Sequence, residues 1–87
     1  MEGVTEGRIV HFVLKNGEHR PAIIVNSWPH ISEYVASGKV NLTVFLDGSN
    51  DRNTGIVDTA DGMLGWGTSV PYSEEKLPGT WHWIEKA

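Results

Sequence analysis

The dipeptide Asn16-Gly17 constrains this chain more than any other short stretch. It stands in KNGE between two runs of alternating residues. An Asn-Gly pair in that setting is the strongest short signal for a hairpin, because both central residues of a type I′ turn need positive φ. Before it, GRIVHFVL alternates Ile9, His11 and Val13 against Val10, Phe12 and Leu14, the period of a strand with two different faces. After it, RPAIIVNSW supplies the antiparallel partner, with Pro21 near the strand's start, where a missing N–H is tolerated.

The remaining elements follow from the same signals. In PHISEYVASGKV, Ile31, Tyr34 and Val35 stand at helical spacing before Gly38, which predicts one short helical turn or a long loop. KVNLTVFLDG is a third strand, alternating Val40, Leu42 and Val44 against Asn41, Thr43 and Phe45. DGSNDRNTG is a polar loop. IVDT and MLGWGTSVPY read as a fourth strand, interrupted at ADG, in which Gly65 and Gly67 flank Trp66 and signal a bulge or close backbone approach. SEEKLPG turns the chain into a short final strand, TWHWIE. The expected architecture is a single all-β domain over residues 1–87, a small SH3-like five-stranded barrel with at most one short helical turn.

Composition narrows the function. A chain of 87 residues buries only roughly 60 to 65% of its unfolded surface, so oligomerisation would help it. It has no cysteine, hence neither a disulfide framework nor a thiolate zinc site. The opening MEGVTEGRIV lacks a basic flank followed by an apolar run of signal length, and no stretch approaches the ~18 apolar residues of a membrane span. A cytoplasmic location and no membrane partner are expected. Seven Lys and Arg against eleven Asp and Glu leave a net charge of −4, which disfavours duplex DNA, whose binding draws on counterion release by basic residues. A ligand with one or two phosphates remains compatible, because a few local donors can hold it.

Catalytic and metal signatures are thin. There is no G-x-S-x-G, P-loop or G-x-G-x-x-G, and Asp58 and Asp61 in DTADG read as turn residues. His11, His19, His30 and His82 form no HExxH or H-x-H pair, so neither a metal site, another cofactor nor an enzyme is expected. What stands out is aromatic. On a strand Trp81 and Trp83 would share one face with His82 on the other, one tryptophan as core plug and one as platform; the reading takes Trp81 for binding and Trp83 for packing. Trp66 is either core or a ligand contact. Arg20, Asn26, Asn41, Thr68 and Tyr72 add polar groups in or beside strands, and rings with nearby amides and hydroxyls hold nucleobases irrespective of net charge.

GRIVHFVL, RPAIIV, VNLTVFLDGSND and SVPYSEEKLPGTWHW together resemble a large group of small phage-encoded proteins, over most of the chain. The group is similar to phage anti-CBASS sponges, immune-evasion proteins that sequester cyclic dinucleotide signals without cleaving them. That resemblance implies a cyclic oligonucleotide ligand such as cyclic GMP-AMP, action in the cytoplasm of an infected bacterium, and a homo-oligomer, a tetramer or at least a dimer. It also implies a base clasp of Phe12, where relatives carry tyrosine, and Trp81. His11 and Thr80, beside these two, complete the expected binding set. The competing expectation is a small phage adaptor or inhibitor module that uses the same aromatic surface against a protein.

Overall fold

The alternation in GRIVHFVL is borne out except at Val13, which was expected on the face of Ile9 and His11 and is buried, 1% exposed. The computed structural model describes residues 1–85, in which β1 (Ile9–Val13) and β2 (His19–Asn26) pair antiparallel with Ile9 opposite Ile23 and Val13 opposite His19. Val10, Phe12 and Leu14 join the core, and Ile9 and His11 take the other face. The connecting turn differs from the type I′ expectation. Gly17 alone of the central pair has positive φ, at +89°, and the N–H of Gly17 donates to the Leu14 carbonyl at 2.9 Å while the N–H of Leu14 donates to that of Glu18 at 2.8 Å. This is a three-residue loop with a left-handed glycine last. Asn16 favours it by accepting the Glu18 N–H on Oδ1 at 2.9 Å.

β3 (Val40–Phe45) lies where expected and pairs with β2, Ala22 opposite Val44. The segment read as one interrupted strand is two, β4 (Val57–Asp58) and β5 (Leu64–Val70), folded antiparallel on each other. Asp61 makes the fold-back by accepting the Thr59 hydroxyl at 2.6 Å and the Met63 N–H at 3.0 Å, the turn role its sequence context predicted. β6 (Trp81–His82) pairs with β1, Trp81 opposite Phe12 and His82 opposite His11. The strand order is therefore β4-β5-β3-β2-β1-β6, six strands among the described residues rather than five.

The ladder does not close into a continuous barrel. Just after β5, Tyr72 makes a single parallel bridge to Trp81: the Trp81 N–H donates to the Pro71 carbonyl and the Ser73 N–H to the Trp81 carbonyl, both at 3.0 Å. Pro71, with no N–H of its own, limits that seam. The expected helical turn is present as α1 (Ser32–Ser37), but it buries no residue, so it adds no covering layer. One face of the sheet is buried because the sheet curls over itself. Phe12 of β1 and Val70 of β5, with β2 and β3 between them in the ladder, line one groove. The core gathers Val10, Phe12, Ile24, Leu42, Val44 and Trp81. Gly65 and Gly67 face inward, and a Cβ on them would stand 2.5 Å from Ile56 and 2.8 Å from Val70, the close approach their position signalled. The chain is thus a small all-β domain. No helix among the described residues is long and apolar enough to cross a membrane.

Gly38 ends α1 with φ +66°, and a Cβ there would lie 2.7 Å from Met1 Sδ and 2.8 Å from Tyr72 Cβ. The left-handed backbone and the crowding act together, so Gly38→Ala should lose roughly 2 to 3 kcal/mol in urea unfolding. A loss below ~0.5 kcal/mol would mean that the α1–β5 junction yields freely.

Candidate functional site

The expected base clasp does not form. Phe12 and Trp81 do stand opposite each other, but both point into the core, 1% and 0% exposed, and Trp81 Nε1 donates to the Gly38 carbonyl at 2.6 Å. The strand period that puts Phe12 with Val10 and Leu14 takes its cross-strand partner inside as well. Trp83 lies beyond β6, half-buried, edge-on to Trp81 at 5.0 Å with the Arg8 guanidinium over its ring. Trp81 is therefore the packing tryptophan, against the sequence expectation.

Most of the polar candidates are engaged within the fold. Arg20 grips Asp51 with two nitrogens, each at 2.7 Å. Asn26 accepts the Trp28 N–H at 3.1 Å, and Asn41 accepts the N–H of Ser69 at 2.8 Å where β5 bulges and Ser69 takes a φ of +50°. Thr80 is buried and donates to the Leu77 carbonyl at 2.6 Å. Tyr72 packs half-buried against Trp81. Trp66 and Thr68 remain exposed on β5.

Trp66 sits in a cross-strand row on the outer face of the sheet. The register runs Ile9, Ile23, Thr43, Trp66, Val57 through β1, β2, β3, β5 and β4. Trp66 is 40% exposed and Val57 75%, and the neighbouring pair of Phe45 opposite Leu64 is exposed too. Two shallow grooves of about 270 Å³ border the indole, one lined by Thr43, Asp58 and Leu64, the other by Thr68, Pro71 and Gly79. Isolated exposed apolar residues are ordinary; a contiguous apolar face marks a binding surface.

At the β1–β6 edge of the same face the fold brings together three histidines that the sequence keeps far apart. His11 and His82 are directly opposite, and His19, opposite Val13, is the diagonal neighbour of His11 on β2. The ring centroids lie 4.7 to 6.1 Å apart. Glu85, just past β6, sends Oε1 into the cluster, 2.9 Å from His11 Nδ1 and 3.2 Å from His19 Nδ1, and in hydrogen-bonding contact with His82 Nε2. The hydrogen bond with His11, aided by the one with His82, holds the Glu85 carboxyl down to about 2. Burial pushes the His82 imidazole below its ordinary value against the pull of Glu85.

Comparison with protein-family models, curated proteins and solved structures finds no match to this chain. Its chemistry is therefore read from these two features, the outer aromatic row and the histidine cluster. Of the expected binding residues, His11 belongs to the second, but sequence reasoning gave it no partners. His19, His82 and Glu85 were not in the expected set. The usable signal was the outward phase of His11, and it identifies a cluster only once the β1–β6 register is known.

Proposed function

We propose that this chain is a non-catalytic binding protein that sequesters a cyclic oligonucleotide, a cyclic dinucleotide such as cyclic GMP-AMP, with a base stacked on Trp66. The observation that carries the reading is the exposed indole on the sheet, bordered by two grooves that Thr43 and Thr68 help to line. An indole face takes any base, at roughly 1 to 3 kcal/mol each, without needing positive charge. This shifts the base platform from Phe12 and Trp81, which the core occupies, to β5. The resemblance to phage sponges supports the ligand class and the setting, immune evasion in the cytoplasm of an infected bacterium.

Each groove falls just short of the ~300 Å³ at which small-molecule sites begin, so one subunit covers part of such a ligand. A two-fold pair of subunits would cover both bases, which favours an even-numbered homo-oligomer. Depleting a signal active below micromolar concentration requires a Kd of about 10 nM or tighter, close to −11 kcal/mol.

Melting the purified protein against a panel of cyclic nucleotides tests the reading. One or two ligands should raise Tm by several degrees, and each should be recovered intact after denaturation. Trp66→Ala should weaken that binding about 5- to 150-fold, the equivalent of one stacked base, with a stability change under ~1 kcal/mol. Accumulating linear products would make the protein an enzyme. A flat panel would favour the second reading, an adaptor or inhibitor module that meets a protein partner through the exposed Ile9, Phe45, Val57 and Leu64.

A further inference from the structure

The histidine cluster carries an inference independent of the nucleotide reading. Three imidazole nitrogens, from β1, β2 and β6, converge on one carboxylate oxygen, and the four donor atoms of His11, His19, His82 and Glu85 all lie within 4.8 Å of one another. A single carboxylate oxygen has lone pairs for about two good hydrogen bonds, so three ring nitrogens around it exceed what hydrogen bonding alone uses. His82 is 2% exposed and its Nδ1 has no hydrogen-bond partner among the described residues, which leaves the polar demand of a buried ring to Nε2 and whatever faces it. Lone pairs gathered on one point from separate strands are the arrangement of a cation site.

We propose that His11 Nδ1, His19 Nδ1, His82 Nε2 and Glu85 Oε1 bind one divalent transition-metal ion of the zinc class, and that the ion latches β6 onto β1 and β2. Three imidazoles and a carboxylate suit Zn²⁺, Co²⁺ or Ni²⁺, whereas Mg²⁺ and Ca²⁺ take oxygen donors. Metal–nitrogen bonds of about 2.0 to 2.1 Å set tetrahedral donor separations near ~3.4 Å, within the spread of this cluster. All four positions come from the protein, the composition of a structural rather than a catalytic centre. The latch acts at an edge strand held by only two ladder pairs. β6 has only two residues, yet it carries Trp81 into the core, and the ion would tie it to strands about 65 to 70 residues earlier in the chain.

The test uses the untagged chain, stripped with a chelator and dialysed, then titrated with Co²⁺ and with Zn²⁺. Co²⁺ should give the intense visible band of a tetrahedral site, saturating at one ion per chain and displaced by Zn²⁺. Zn²⁺ at a hundredfold excess over its Kd should raise Tm by roughly 10 °C or more, and Mg²⁺ should leave it unchanged. Because His82→Ala removes a buried ring and can unfold the chain, the deciding variants are His19→Gln and Glu85→Gln, whose side chains are partly exposed. Each should fold and should weaken Zn²⁺ binding by at least tenfold, with the tetrahedral Co²⁺ band lost or altered. Absence of the Co²⁺ band in the wild-type chain, or Zn²⁺ affinity unchanged in both variants, would overturn the proposal.

Discussion

Trp81→Ala should cost about 3 to 5 kcal/mol, enough to leave a domain of this size partly or wholly unfolded at 37 °C. Three losses coincide at this position. The indole is fully buried and is among the largest side chains in the core. Its Nε1 donates to the Gly38 carbonyl, so truncation leaves that acceptor without its partner. It also meets Tyr72 and Trp83 edge-to-face at 5.0 Å each. Trp83→Ala should be milder, about 1 to 2 kcal/mol, because that ring is half-buried and outside the ladder. Urea unfolding of the two variants side by side is the measurement. Equal losses would mean that Trp81 does not anchor the core as its burial indicates.

Asp51→Ala should cost about 3 kcal/mol. The carboxylate side chain is fully buried, takes both Arg20 nitrogens and accepts the Asp47 N–H at 2.7 Å, so its removal strands a guanidinium and an amide at once. The remaining exposure of Arg20 keeps the figure at the lower end of the range for broken buried pairs. The hydrogen bond from Arg20 holds the Asp51 carboxyl below its ordinary value. A depressed folded pKa binds fewer protons than the unfolded chain does, so the pair's contribution is complete above about pH 4 and is lost as pH falls towards the folded value. Stability of the wild type should decline through that acid window more steeply than that of Asp51→Ala. Parallel curves would show that the pair contributes no linked protonation.

The elements were legible wherever one local rule decides. Period-two alternation in GRIVHFVL and KVNLTVFLDG foretold which side chains share a face, and Gly38 foretold where the helical turn stops. The errors arose where a second strand or a side chain competes. Arg20 reads as a free ligand donor until Asp51, 31 residues on, takes it, and IVDT with MLGWGTSV reads as one strand until Asp61 folds it in two.

Trp81 and His82 show the division most clearly. Their opposite faces follow from the chain alone, because neighbouring side chains on a strand project to opposite sides whatever the strand pairs with. Which of the two faces becomes the interior is a property of the partner. Pairing with β1 puts Trp81 opposite the inward Phe12 and His82 opposite the outward His11, and one step of slip would exchange them. That register joins residues about 70 positions apart. No local preference encodes it; it is selected by the apolar area buried when the sheet curls, and it sends Trp81 into the core and gathers His82 with His11 and His19 on the opposite side of the sheet.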